Sequence, residues 1–362
     1  MVKVVTFGEI MGRLVPHGFL RLRQALPGQL DVTFAGAEAN VAASIAMFGG
    51  ESKFVTALPN NPIADACVAS LASVSIDTSD IVRTDSGRLG LYFLETGANQ
   101  RPSKVIYDRD GSAISTTPSA SYGWNEVFSD CDWFHTTGIT PAISEAAAQA
   151  TLDAVRRAQE AGCRVSCDLN FRQKLWRWRE GQGAQSLAEE TLRSILPFVD
   201  IIIANEEDCE TVLGIRADET DVESGELSID RYPAVAAEVV SQFPNVEMVA
   251  ITLRESISAS HNNWGAMLYT STGESFFAPL TNGKYAPFPI RQIVDRVGAG
   301  DSFAAGLIYS LLTKELSTPE VAIRFATAAS CLAHSMVGDL NYSTRAEVEA
   351  LMGGSTSGRV VR

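Results

Sequence analysis

Short apolar runs recur along the chain and alternate with stretches whose apolar positions repeat every three or four residues. The short runs predict strands over 2–8, 53–58, 132–138, 163–170, 200–205 and 248–253. Their apolar residues sit on consecutive positions rather than alternate ones, the pattern of strands buried on both faces. The longer periodic stretches predict helices over 39–48, 144–161, 187–196 and 232–243, and in the C-terminal part over 301–312 and 318–336. Strands alternating with helices in this way predict an α/β fold, with a mostly parallel sheet covered by helices on both faces.

Two regions break the rhythm. RLGLYFLE (88–95) and KVIYD (104–108) are separated by the turn-rich TGANQRPS and read as a hairpin-like pair. Residues 14–34 hold similar short pieces, broken by Pro16, Gly18, Pro27 and Gly28. Together they predict a small β lid, about 12–34 and 86–112, inserted into a single α/β domain over 1–353. The acidic and hydroxyl-rich 217–230 reads as a solvated loop, and 354–362 as a flexible tail.

Composition narrows the partners. The chain has 362 residues, 46% apolar and 20% charged, enough for one large packed α/β unit. A formal net charge of −14 disfavours nucleic acid and anionic membranes. It leaves room for a small anionic ligand, which needs only local positive charge. No run approaches the ~18 apolar residues of a membrane span. The opening MVKVVTFGEIMGRL reads as strand and turn rather than a secretion signal, so the expected location is the cytoplasm. Cys67, Cys131, Cys163, Cys167, Cys209 and Cys331 form no close CxxC pair and are read as free thiols. His17, His135, His261 and His334 lack metal-ligand spacing, and His135 reads as a core histidine.

Polar residues gather where the strands are expected to end: Gly8 and Glu9, 170–172, 205–208 and Thr252. In open α/β sheets that edge is where ligands bind. The stretch DRVGAGDSFAAG (295–306) adds a glycine turn opening a helix, where backbone N–H groups collect around an anion. The turn closes on a carboxylate, Asp301, which would repel a resident phosphate. The conflict disappears if the phosphoryl group is transferred. Gly298, Ala299 and Gly300 then stabilise charge on its oxygens, and Asp301 takes the proton of the attacking hydroxyl. The helix N-terminus is expected to keep Asp301 ionised near neutral pH. The partner would be a nucleotide with Mg²⁺. The chain lacks GxxxxGK[ST], so this is no P-loop. Its first strand ends in GEIMGR without GxGxxG, which argues against a Rossmann oxidoreductase.

DRVGAGDSFAAG resembles the C-terminal signature of the PfkB, or ribokinase-like, carbohydrate kinases, and AGAEANVAASIAMFGG (35–50) resembles their N-terminal signature. The resemblance covers nearly the whole chain. It implies a three-layer ribokinase-like sandwich with a β lid, and ATP with Mg²⁺. Lid hairpins have exposed edges and apolar faces, which predicts a homodimer paired lid to lid. Within the family, FGEIMGRLVP (7–16), GAEAN (36–40), VIYDRDGSA (105–113) and DLNFRQKLW (168–176) are similar to 2-keto-3-deoxygluconate kinases. The implied product is 2-keto-3-deoxy-6-phosphogluconate. Fructose or a related ketose is the alternative substrate, and a non-catalytic sugar-sensing module the alternative role.

The resemblance places Gly36 and Asn40 at the sugar. Tyr107 and Arg109 lie two apart on a lid strand and so share a face, suiting a hydroxylated, carboxylated substrate. Arg172 follows a strand end, where its guanidinium matches a carboxylate bidentately. Lys174, Arg177 and Arg179 read as surface charges of the basic run RQKLWRWR, with phosphate the alternative for Lys174. Asn170, Asn205, Thr252, Arg254, Gly298 and Gly300 are expected around the nucleotide, with Arg254 standing where the family often has glycine. Asp208 closes NEED, where the family carries Asn-x-x-Glu organising Mg²⁺ through water. Asp295 resembles the family's monovalent-cation loop, which makes K⁺ the expected ion there, and Asp339 a late acidic residue that contacts sugar.

Overall fold

The computed structural model describes residues 3–205, 207–215 and 229–354. Most of the expected solvated loop and the tail beyond 354 lie outside the described residues. Six strands run parallel through the middle of one sheet: Glu51–Val55, Lys3–Phe7, Trp133–Thr137, Arg164–Asp168, Ile201–Asn205 and Met248–Ser258, in that spatial order. Ile76–Asp77 adds a short parallel edge beside Glu51–Val55. At the other edge His261–Thr270 and Ser275–Ala278 continue antiparallel.

Helices cover both faces, as the alternating pattern predicts. On one side Glu145–Glu160, Ala184–Ile195 and Tyr232–Gln242 bury Val155, Leu192 and Val239 against strand residues such as Val165 and Ile202. On the other, Ala37–Met47, Ala299–Leu312 and Pro319–Ala333 pack Val41, Phe303 and Phe325 against Ile201 and Ala250. Local chemistry sets the ends. Ser144 caps Glu145–Glu160 by accepting the Ala147 N–H at 3.0 Å, and Gly162 follows the helix at φ 82°. Ala147, Ala150, Thr151, Ala154 and Ala158 then line its buried stripe.

Two strand expectations change. The run 53–58 is split: Glu51–Val55 joins the main sheet, while Ala57–Pro59 pairs with Val82–Thr84. The strand expected over 248–253 runs on to Ser258 and forms a long hairpin with His261–Thr270. Past Leu253 it leaves the core, with 254–257 exposed, so the apolar signal stops before the strand does.

A second, four-stranded sheet lies over the carboxyl ends of the main strands, in the order Asp31–Ala35, Met11–Val15, Gly90–Glu95, Lys104–Asp108. Its two faces differ. Met11, Arg13 and Tyr92 are buried, whereas Val32 and Ile106 on the opposite row are 60% and 53% exposed.

Candidate functional site

The helix Ala299–Leu312 starts abruptly because of Gly298. Its φ is 86°, in the left-handed region, and a Cβ there would lie 2.1 Å from the Asp339 carbonyl oxygen. Only glycine meets both demands. The helix that follows is sandwiched in the core, so its first turn is fixed in position. The N–H groups of Ala299, Gly300 and Asp301 open the helix without a carbonyl one turn back to bond. Gly300 has open space where a Cβ would be, so the backbone there is accessible.

Opposite lies the start of Ala37–Met47. Gly36 is extended, and here the demand is space: a Cβ would meet the Glu9 carbonyl oxygen at 2.0 Å. One turn on, Asn40 Nδ2 donates to Asp301 Oδ2 at 2.7 Å, while its Oδ1 accepts the Gly36 N–H at 3.4 Å. Asn40 thus meets the carboxylate directly, in addition to lining the cavity where sugar is expected.

These residues line a cavity of about 380 Å³ between the main sheet's carboxyl edge and the small sheet. Of the residues singled out in the sequence, Gly36, Asn40, Tyr107, Arg109, Asn170, Arg172, Asn205, Asp208, Thr252, Arg254, Gly298, Ala299, Gly300, Asp301 and Asp339 all border it. They come from segments scattered over nearly the whole chain. Lys174 instead borders a second cavity with Ile106, Arg177 and Trp178.

Several bordering side chains are engaged by protein partners. Arg109 is buried and ion-pairs with Glu9, with its guanidinium carbon 5.4 Å from the Tyr107 ring centroid. Asn205 Oδ1 accepts the N–H groups of Glu207 at 2.8 Å and Asp208 at 3.0 Å, which starts the helix Asp208–Leu213. Asp208 is buried and accepts the N–H groups of Asn205 at 3.2 Å and Phe171 at 3.3 Å. The Thr252 hydroxyl donates to the Ala204 carbonyl at 3.4 Å. Arg172 differs. It is exposed, gives one N–H to the Phe171 carbonyl at 3.1 Å, and keeps the rest of its guanidinium on the cavity wall. Asn170 beside it sits at φ 37°, a conformation asparagine tolerates.

The expectation that the helix end keeps Asp301 fully ionised at neutral pH needs correction. Part of Asp301 faces the cavity, but loss of hydration among packed neighbours outweighs the helix end and pushes its carboxyl up to about 7. The Asn40 hydrogen bond and Arg172 pull it down, while Asp339 and Glu38 push it up.

Sequence reasoning missed several groups at the site. Glu38 is buried, and its Oε1 accepts the Thr137 hydroxyl at 2.7 Å, the Thr140 hydroxyl at 2.8 Å and the Thr137 N–H at 3.1 Å. Burial still raises its carboxyl to about 7. Asp168 ends its strand facing the cavity. Burial, then repulsion from Asp208 and Asp301, lifts it well above the carboxylate range, opposed by Arg172. Burial also raises Asp208. A charged residue inside the apolar AEANVAASIAM was the available signal for Glu38; the strand-end DLN was the signal for Asp168. Asp295 stands behind the cavity wall, joined with Asp339 to the buried Arg13. His135 is buried with Nδ1 2.8 Å from Ser166 Oγ, a core position. Among the described residues no group of three or more His, Cys, Asp or Glu is arranged to hold a metal ion directly, and no helix is long and apolar enough to cross a membrane.

The comparisons with known proteins agree with this architecture. A 2-dehydro-3-deoxygalactonokinase from Haloferax volcanii is 30% identical over 357 residues, covering 98% of this chain and 98% of that protein. The crystal structure of a 2-dehydro-3-deoxygluconokinase from Thermotoga maritima is 42% identical, covers 98% of this chain and 100% of its own, and superposes with a TM-score of 0.87. A fructokinase from Xylella fastidiosa, solved with bound ATP, shares the fold at 23% identity and a TM-score of 0.74, covering 98% of this chain and 99% of that one. The profile of the pfkB family carbohydrate kinases matches residues 1–344. The chain therefore belongs to the pfkB family of carbohydrate kinases, enzymes that pass a phosphoryl group to a sugar hydroxyl.

Proposed function

We propose that the protein uses ATP to phosphorylate 2-keto-3-deoxygluconate, giving 2-keto-3-deoxy-6-phosphogluconate. The observation that carries this reading is Arg172, an exposed guanidinium on the wall of the cavity that also holds Asp301 and the 298–301 turn. A sugar acid needs such a cation; a neutral sugar does not. The names of the Thermotoga and Haloferax relatives support the substrate class.

In the reaction, Asp301 accepts the proton of the sugar hydroxyl as its oxygen bonds to the γ-phosphorus. The bond from that phosphorus to the bridging oxygen breaks and ADP leaves. The N–H groups of Ala299, Gly300 and Asp301 face the charge developing on the phosphoryl oxygens. Asn40 holds Asp301 in orientation through its 2.7 Å hydrogen bond. Tyr107, on the small sheet, closes over the sugar side. Asp168 and Asp208 are the carboxylates that would hold Mg²⁺ through its water shell: both border the cavity, and burial raises both. The ion neutralises phosphate charge when bound.

The small sheet acts as a lid that keeps water from the phosphoryl group. Its outer row, Val32, Leu14, Phe93 and Ile106 in register, is apolar, with Val32 and Ile106 exposed and Leu14 and Phe93 half-buried, which suits pairing of two copies into a homodimer. Gel filtration giving a monomer at working concentration refutes that pairing. Six free cysteines fit a reducing compartment, the cytoplasm.

The Glu9–Arg109 pair favours a second reading, a ketose kinase, because it removes one cation from carboxylate binding. An ADP-release assay with 2-keto-3-deoxygluconate, its galactonate epimer, fructose and ribose decides between them. Turnover only with fructose or ribose rejects the acid reading.

A further inference from the structure

The family resemblance leads to a monovalent cation at Asp295, and the groups around that carboxylate do not fit one. A bound cation needs a shell of oxygen atoms. Asp295 is ringed by donors instead. Its Oδ1 accepts the backbone N–H groups of Arg296 at 2.8 Å and Val297 at 3.2 Å. Its Oδ2 accepts the Gly338 N–H at 3.3 Å and pairs with the Arg13 guanidinium. The other arm of Arg13 meets Asp339 Oδ1, and Asp339 Oδ2 accepts the Tyr92 hydroxyl at 2.7 Å. Arg13, Asp295 and Asp339 are 2%, 6% and 8% exposed. An ion from solvent would have to displace a buried, bidentate guanidinium to reach Asp295.

We infer that Arg13 is the enzyme's built-in cation: its guanidinium stands where a monovalent ion would bind and positions the 298–301 turn, so turnover needs neither potassium nor sodium. Both carboxylates that it clamps lie against that turn. Asp295 precedes Gly298 by three residues, and the Asp339 carbonyl packs on the Gly298 backbone. Arg13 is carried by Met11–Val15, a strand of the small sheet. The charge is therefore covalently tethered and arrives with the cover of the site, with no binding equilibrium of its own. Arg13 is a positioning residue, because it touches the turn's supports rather than the reacting atoms.

The inference rests on the reading of the turn as the phosphoryl site, so its test has one arm that needs no turnover. Wild-type thermal midpoints are measured in potassium, sodium and tetramethylammonium chloride at equal ionic strength. Initial rates of ATP-dependent sugar phosphorylation are measured in the same salts. Equal midpoints and rates within about twofold are expected. A saturable, several-fold activation by potassium, or a midpoint raised by potassium alone, overturns the inference. If no sugar is turned over, the proposed substrate fails, and the melting comparison still decides the ion question.

The variant arm uses R13Q in tetramethylammonium. A loss of about tenfold or more in kcat/KM is expected, with recovery by added methylguanidinium or potassium. Full turnover without either ion rejects the positioning role, and so does a loss that neither ion restores. R13K, which keeps the charge without the two-armed fork, is the second variant should R13Q not fold.

Discussion

With Asp301 as the proposed base, its carboxyl raised from 3.8 to about 7 should make the rate depend on pH in a calculable way. Only the ionised form accepts the hydroxyl proton. With a midpoint near 7, about 9% of Asp301 is ionised at pH 6 and about 91% at pH 8, so kcat/KM is expected to rise about tenfold between them. An ordinary aspartate would be fully ionised at both and would give a flat profile. Asn40 sharpens the test, because its donated hydrogen bond favours the ionised form. Losing a hydrogen bond to a charged group is worth about 1.5 kcal/mol, so Asn40→Ala should move the midpoint up by about one pH unit. Asp301→Asn should lower kcat by about 10²–10⁴-fold on the alkaline plateau, with the gap narrowing below pH 7. The assay is a coupled ADP-release measurement from pH 5.5 to 9, with a coupling system in excess throughout. A flat profile in the wild type, or Asp301→Asn retaining a tenth of the rate on the alkaline plateau, refutes the assignment of Asp301 as the base.

Arg172→Ala should raise KM for the sugar acid by about 10–100-fold, the loss of a charge-assisted pair, and leave any neutral-sugar activity unchanged; steady-state kinetics on both substrates checks this. Gly298→Ala meets a left-handed φ of 86° and the Asp339 carbonyl together. It should cost about 3 kcal/mol or more by denaturant unfolding and abolish turnover. Glu38 has its folded carboxyl raised from 4.5 to about 7, so its contribution to stability is present below about 4.5 and lost as pH rises through 7. The shift corresponds to about 3 kcal/mol. Glu38→Gln keeps an acceptor for Thr137 and Thr140 and should remove that part of the pH dependence. Unfolding of both proteins at pH 5 and pH 8 measures it, and equal pH dependence in the two would rule the effect out.

Much of the molecule follows from local pattern. Consecutive apolar residues make the central strands legible, because a strand buried on both faces has no polar side to show. The helix stripes, the glycine turn at 298–300 and the carboxylate after it are equally local, since backbone conformation and helix-end chemistry are set by a few adjacent residues. The other cavity-lining residues were named mainly through the family resemblance, and they border one cavity. The chain's own pattern also marked the small sheet as foreign to the strand–helix alternation, through the clustered turns near Pro16, Pro27 and Gly97.

Pairing between distant charges was not legible. Arg13 meets Asp295 across 282 residues and Asp339 across 326, and nothing near Arg13 distinguishes it from a surface arginine. Arg109 reads as a free ligand cation until the fold sets it against Glu9. Glu38 and Asp168 take their raised carboxyls from the protein packed around them, a property of tertiary burial rather than of neighbouring residues. The extension of the strand past Leu253 was not legible because residues 254–257 stand away from the core, although the strand they pair with, His261–Thr270, is largely buried. Sequence alone determined which elements form and which chemistry opens the helix at Gly298. Tertiary structure decided which charges are neutralised and which remain for substrate, because electrostatic partners and dielectric surroundings exist only once distant segments are packed together.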